Sequence, residues 1–154
     1  MSIEPTKIID AKAMLLAGLE KHFSMQTMGE IGGLWHEFVP YLGQIPGQVG
    51  PVAYGLCYDM NENGFQYIAA VEVDSDENLP DEFATKQLPA QRYAVFTHHE
   101  DLSKLCITID AIWHQWLPES GEAVSDSPFM FERYGERFDP VAQKGDLEVW
   151  IAIK

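Results

Sequence analysis

Two stretches of ten residues, LWHEFVPYLG at 34–43 and IWHQWLPESG at 112–121, decide the fold because each is a version of the other. Aligned at an offset of 78 residues (112 minus 34), they share Trp-His, an aromatic residue, an aliphatic residue, a proline and a glycine. Apolar residues within and before each stretch recur at spacings of three and one, which indicates a single apolar helix face. We therefore predict two equivalent helices, each ending near its proline with the glycine just beyond.

Strand-like segments flank the two predicted helices in the same order. They are residues 13–19, 51–60 and 65–73 around the first helix, and residues 91–97, 128–136 and 146–154 around the second. The turn Asn63-Gly64 joins two of them into a hairpin. Each half then has the order strand–helix–strand–strand, with the segments before the helices aligned with each other. This pattern predicts an α+β fold of pseudo-two-fold duplicated β-α-β-β halves, with a mainly antiparallel sheet and two helices packed on one face.

The length of 154 residues predicts a single domain. Its halves would cover about 1–76 and 82–154, joined by an acidic linker at 74–82. No window approaches 18 consecutive apolar residues, so we predict no membrane contact. Acidic residues near the N-terminus, where a secretory signal would be basic, predict a mature protein. Cys57 and Cys106 lie in apolar surroundings and predict buried, reduced thiols in a cytoplasmic protein.

The net charge of the chain limits the kinds of partner that it can bind. The chain carries 10 Lys and Arg against 24 Asp and Glu, a net charge of −14. A nucleic-acid-binding surface needs Lys and Arg to neutralise phosphates, so we predict no direct nucleic-acid binding. An acidic surface attracts cations instead. No His-x-x-x-His or Cys-x-x-Cys motif is present, and we predict neither a metal nor a cofactor.

The alternation of apolar and polar residues points to one candidate site. In the last strand Glu148 and Trp150 alternate with aliphatic residues, so they face away from the helices. Glu72, the counterpart of Glu148 in the first half, lies between two valines in the same manner. Two further pairs, Glu132 with Tyr134 and Tyr54 with Tyr58, each share one face of a strand. Aromatic faces attract cations, and a partly buried carboxylate favours a cation over a neutral ligand.

Four segments, in this order, resemble the GyrI-like family of small-molecule-binding domains. They are LPAQRYAVF at 88–96, Trp116-Leu117-Pro118, FERYG at 131–135 and LEVWI at 147–151. The family also provides the effector-binding half of AraC-type and MerR-type multidrug-responsive regulators. A regulator would carry a helix-turn-helix domain as well, and this chain has no room for one. The resemblance therefore implies a stand-alone sensor module.

The resemblance also implies a central glutamate between aromatic walls. Its positions match Glu148 and Glu132, with Trp150 and Tyr134 beside them. We therefore predict a module that binds cationic, amphipathic, drug-like molecules in an aromatic cleft. The predicted ligand-binding residues are Glu148, Trp150, Glu132, Tyr134, Tyr54, Tyr58, Glu72 and Trp113.

Two alternatives remain open at this level. Some family members hydrolyse strained, cyclopropane-containing toxins, and a hydrolase here would use Glu148 and Tyr134. The other alternative is a protein-binding role, with DNA gyrase or a transcription regulator as the partner and the acidic surface mimicking DNA. The sequence does not decide whether the protein is an enzyme, or a monomer or a homodimer.

Overall fold

The computed structural model describes residues 3–24, 26–100, 104–125, 130–138 and 145–154, without the side chains of Met28, Met60 and Cys106. The chain divides into two compact units. Residues Ala13–Pro89 form one, here called the middle unit, and Met1–Lys12 with Ala90–Lys154 form the other, here called the terminal unit. Each unit combines antiparallel strands with helix, so the predicted α+β class with a mainly antiparallel sheet is confirmed.

Among its described residues, the middle unit has four strands and one α-helix. In chain order they are β2 Met14–Phe23, α1 Ile31–Phe38, β3 Gln48–Asn61, β4 Gly64–Val73 and β5 Ala84–Leu88. The strands lie in the order β3-β4-β2-β5, and every neighbouring pair is antiparallel. Asn61 pairs with Gly64 across a two-residue turn, as the predicted hairpin requires. Short 3-10 turns at Met28–Glu30 and Val39–Tyr41 flank α1.

The terminal unit has a corresponding order of strands. Its elements are β1 Lys7–Ala11, β6 Gln91–His98, α2 Leu105–Ala111, a π-helical turn Ile112–Trp116, α3 Leu117–Ser120, β7 Met130–Tyr134 and β8 Leu147–Ile153. Here the sheet runs β1-β6-β8-β7, again antiparallel throughout. In both units the strand that precedes the helix lies between an outer strand and the last strand of the hairpin.

Both helices end close to their prolines, as predicted. The first ends at Phe38, just before Pro40, and Gly43 follows with a positive φ of 84°. The second passes Pro118 by half a turn before Gly121 adopts the left-handed conformation that favours glycine. Pro118 has no N–H and crowds the carbonyl four residues back, that of His114. That residue lies within the π turn, which ends two residues before the proline. No helix in the described part of the chain is long and apolar enough to cross a membrane.

The helix of each unit covers one face of its own sheet. In the terminal unit the Trp116 ring meets the Phe96 ring edge-on, with centroids 5.0 Å apart. In the middle unit the Trp35 indole N–H donates to the Tyr67 hydroxyl at 2.8 Å, above a core that includes Phe38. We call these sides the helix faces and the opposite sides the far faces. Since residues paired across antiparallel strands point to the same side, the register assigns every strand residue to a face.

Two features differ from the sequence expectations. The outer strands β1 and β5 are absent from the predicted order, because both are short and follow no clear alternation. The predicted alignment of 13–19 with 91–97 is wrong. It equates Leu16 with Ala94, but Leu16 lies on a far face and Ala94 on a helix face. Because successive strand residues alternate between faces, the alignment must be shifted by an odd number of residues. Cys57 is buried, whereas the side chain of Cys106 is outside the described residues.

Candidate functional site

A cluster of three aromatic rings lies on the far face of the terminal unit. Register places Phe131 opposite Trp150, and the two rings stack with centroids 5.2 Å apart and planes 24° from parallel. Tyr93 meets both rings edge-on, at 5.4 Å from Phe131 and 5.5 Å from Trp150. Phe131 and Tyr93 are buried, and Trp150 is half-buried. Trp150 therefore presents the accessible edge of a preformed aromatic wall.

Glu148 provides the negative charge beside this wall. Its Oε1 accepts a hydrogen bond from the Trp150 indole N–H at 3.1 Å. The guanidinium of Arg133, which pairs with Glu148 across the strands, lies 3.6 Å from the same oxygen. The Glu148 side chain is 18% exposed. A carboxylate this shielded interacts with a nearby charge more strongly than an exposed one does, yet Arg133 already offsets part of its field.

Glu132 and Tyr134 form a second pair on the other side of the same sheet. Glu132 lies opposite Val149, and Val149 lies opposite Phe96, which packs under the helix. Both residues of the pair therefore lie on the helix face. The Tyr134 hydroxyl donates to Oε1 of Glu132 at 2.6 Å, and Glu132 is 8% exposed.

The far face of the middle unit repeats the combination of aromatic ring and carboxylate. Tyr54 and Tyr58 are buried on it, and Glu72 is half-buried on the next strand. The Tyr58 hydroxyl donates a hydrogen bond to the carboxylate of Glu20. Burial, followed by this hydrogen bond, raises the pKa of Tyr58 well above its usual value. The phenol is therefore a neutral donor at physiological pH. Lys86 places its ammonium over the same ring, 4.3 Å from the centroid.

The structure thus separates the predicted site residues into groups. Glu148 and Trp150 lie together on one far face, whereas Glu132 and Tyr134 lie on the helix face of the same unit. Trp113 is half-buried on the π turn, on the side of the sheet that carries the helix. Glu148 and Tyr134, the pair named for a hydrolase, are on opposite faces and do not meet.

An open groove of about 490 Å³ occurs elsewhere in the terminal unit. Trp116 and Ile8 contribute apolar lining, and Glu4, Glu119 and Glu122 contribute carboxylates. None of the predicted site residues lines it. Glu4 and Glu119 are exposed, so water screens their charges. The shielded carboxylate of Glu148 is the stronger candidate for recognising a cation.

Several residues near these carboxylates were not predicted from the sequence. Phe131, Tyr93 and Arg133 belong to motifs noted there, but strand register alone brings them to Trp150 and Glu148. Lys86 comes from an outer strand that the pattern did not reveal. Glu20 directly follows the predicted strand segment 13–19, and alternation along β2 from Leu16 puts it on the far face.

Comparison with known proteins agrees with this architecture. A model of the GyrI-like small molecule binding domain matches residues 4–154. Transcriptional regulator BrlR of Pseudomonas aeruginosa is 32% identical over 149 residues, which are 96% of this chain. The chain spans 54% of the length of that regulator.

Solved structures share the fold at lower sequence identity. SAV2435, in a structure bound to tetraphenylphosphonium, has a TM-score of 0.78 and 20% identity, over 96% of this chain and 93% of that one. A hydrolase from Listeria innocua has a TM-score of 0.54 and 8% identity, over 99% of this chain and 93% of that one. At these identities the likeness concerns the fold alone.

Proposed function

Because the chain belongs to the GyrI-like family of small-molecule-binding domains, we propose that it binds lipophilic organic cations at Glu148 and Trp150. One observation carries the proposal: a shielded carboxylate hydrogen-bonded to the edge of a stacked aromatic wall. Such a site offers an opposite charge and an aromatic ring, the two features that a lipophilic cation needs, and the Lys7 ammonium already lies 5.9 Å from the centroid of that ring. The net charge of −14 adds a long-range attraction for cations.

Arg133 accounts for how the site could be both stable when empty and selective. A carboxylate as shielded as Glu148 is costly without a partner, and Arg133 supplies one at 3.6 Å. At 3.6 Å the contact is longer than a hydrogen bond, and the Arg133 side chain is 30% exposed, so the guanidinium can turn toward water when a cation binds. A lipophilic cation replaces the guanidinium charge and adds apolar contact with Trp150. A neutral molecule of the same shape would gain the contact without the charge.

Tetraphenylphosphonium is a suitable probe because SAV2435, with the same fold, has been solved bound to it. We expect it to quench tryptophan fluorescence saturably, whereas the uncharged triphenylphosphine oxide should bind much more weakly. Glu148→Gln should weaken cation binding roughly 10-fold. That loss is about 1.4 kcal/mol, a discounted part of the ~4 kcal/mol between unit charges at 4 Å in an effective dielectric of 20.

Two control variants locate the site. Glu62→Gln makes the same charge change in the exposed turn between β3 and β4 and should leave affinity unchanged. Glu132→Gln makes it on the helix face of the terminal unit. If Glu132→Gln weakens binding and Glu148→Gln does not, the proposed site is on the wrong face. Thermal melts of each variant separate loss of binding from loss of folding.

A second candidate function, hydrolysis of strained, cyclopropane-containing compounds, is favoured by the Glu132–Tyr134 hydrogen bond of 2.6 Å. A buried carboxylate that removes a proton from water, beside a phenol that donates one, is an acid–base pair. Mass spectrometry of such compounds after incubation with the protein tests it. A gain of one water that disappears in Glu132→Gln supports hydrolysis, and intact compounds support binding alone.

A further inference from the structure

The ammonium of Lys86, on β5, lies over the ring of Tyr58, although the strand that carries Tyr58 is not a neighbour of β5. Lys86 is on β5 and Tyr58 on β3, and the strands β2 and β4 lie between them. Adjacent strands are about 4.8 Å apart, and through the paired residues Tyr58 lies level with His22 of β2, whereas Lys86 lies level with Leu16, six residues away. In a flat sheet the two would therefore be separated by roughly 25 Å. Nevertheless, the Nζ atom is 4.3 Å from the ring centroid. The sheet of the middle unit therefore curls toward its far face, which is concave.

A carboxylate makes the Tyr58 ring more attractive to a cation, because it accepts a hydrogen bond from the hydroxyl of that ring. Its hydroxyl donates to the Glu20 carboxylate, and a hydrogen bond to a charged acceptor strengthens the neighbouring electrostatic contacts. The ring face that attracts a cation thus has a carboxylate behind it and an ammonium in front. This is the arrangement in which a protein holds an organic cation, with a side chain of the same chain in the ligand's position.

A similar triad occurs in the terminal unit. Lys7, on the outer strand β1, lies 5.9 Å from the centroid of the Trp150 ring, and Trp150 donates to Glu148. In both units the short strand β1 or β5 contributes the lysine, a different strand contributes the ring, and a carboxylate accepts a hydrogen bond from that aromatic side chain. The shorter distance makes Lys86 the more tightly held of the two lysines.

We propose that Tyr58 and Glu20 form a second organic-cation site, in the middle unit, and that Lys86 is its resident occupant, which an external cation must displace. The proposal shares only the ligand class with the function proposed at Glu148 and lies in the other unit. Lys86 would then limit affinity at this site. It would also set selectivity, because only a ligand whose charge and apolar surface exceed those of the lysine gains by the exchange.

The test uses tetraphenylphosphonium and the Glu148→Gln protein, in which the first site is weakened roughly 10-fold. Adding Lys86→Met should raise the remaining affinity roughly 2- to 30-fold, the range of one cation–π contact. Lys21→Met is the matched control. It removes the same charge from a lysine that lies 5.8 Å from the Phe23 ring, on the helix face of the same unit. Calorimetry should show at most a twofold change in this control.

Nuclear magnetic resonance gives a readout that does not depend on mutation. The ε-methylene protons of Lys86 should be shifted upfield by the Tyr58 ring current and should return toward ordinary values as the cation is added. The proposal is supported if this signal moves as the cation is added and if Lys86→Met, but not Lys21→Met, binds the cation more tightly.

Three outcomes overturn it: equal effects of Lys86→Met and Lys21→Met, no effect of either, or a Lys86 signal that does not move. A wrong proposal for the Glu148 site would give a different result. In that case Glu148→Gln by itself would leave the affinity for tetraphenylphosphonium unchanged.

Discussion

Replacing Gly18 with alanine should disrupt the curl of the middle unit. Gly18 lies on the far face of β2, paired with Ala70 on one side and Ala84 on the other. This row of minimal side chains runs across the floor of the concave face that brings Lys86 to Tyr58. A Cβ on Gly18 would lie 2.7 Å from the Ala70 Cα, and it would overlap the carbonyl group of Ala69.

The expected cost follows from these contacts. Ordinary van der Waals contacts of a Cβ begin at 3.4 Å, so relieving the overlap with the Ala69 carbonyl oxygen requires β2 and β4 to separate by roughly 1.6 Å. Overpacking of this kind costs about 1–3 kcal/mol, and the upper part of the range applies because the obstacle is backbone. Alanine recovers ~0.4–1 kcal/mol through the lower entropy of the unfolded chain. We therefore expect Gly18→Ala to lower the free energy of unfolding by about 2 kcal/mol.

Urea unfolding followed by circular dichroism measures the change, and Gly33→Ala is the matched control. A Cβ at Gly33 meets nothing within 4 Å, on an exposed position inside α1. The same substitution there should stabilise the protein by ~0.5–1 kcal/mol, because glycine weakens a helix interior. At ~2–4 °C per kcal/mol, the two melting temperatures should differ by roughly 5–12 °C.

Gly18→Ala should also disturb the proposed cation site at Tyr58. If the curl depends on the absence of a side chain at Gly18, Gly18→Ala should reduce the ring-current shift of Lys86. A Gly18→Ala protein as stable as Gly33→Ala, with the Lys86 signal unchanged, would show that the close approach to Ala69 and Ala70 does not shape this face.

Two further predictions concern the core and the pH dependence. Ile112 is fully buried on the π turn, so Ile112→Ala should cost ~2–5 kcal/mol in urea unfolding, and a cost below 1 kcal/mol would contradict its role in packing the helix onto the sheet. The raised pKa of Tyr58, due to burial and then to the Glu20 hydrogen bond, means that the folded state retains the phenol proton longer than the unfolded chain. Its contribution to stability is therefore complete below about pH 10 and is lost as the pH rises above that value. Unfolding measured between pH 8 and 11 should show a smaller decline for Tyr58→Phe than for the wild type, and equal declines would refute this assignment.

The helices and hairpins could be predicted from the sequence because their signals are local. The apolar spacing in 34–43 and 112–121 and the Asn63-Gly64 turn lie within single elements, and the structure has the corresponding helices and the hairpin. The alternation around Glu148 likewise assigned that residue and Trp150 to the face away from the helix, because neighbouring side chains of a strand must point to opposite sides.

The candidate sites could be predicted only in part. Phe131 and Glu132 are adjacent in one motif, yet the first stacks on Trp150 and the second lies under the helix layer. Which of them meets Glu148 depends on the register of β7 against β8. That register is set by the packing of whole strands, and a shift of one residue would reverse every face.

The sequence by itself therefore determined the class of fold, the two helices, the hairpins and the alternation that puts Glu148 and Trp150 on one face of their strand. Only the tertiary structure showed that the outer strands β1 and β5 complete the sheets, and that they carry Lys7 and Lys86 over aromatic rings. The physical reason is the range of the interactions. Periodicity follows from backbone geometry over a few residues, whereas strand order, register and curl arise from contacts between residues far apart in the chain.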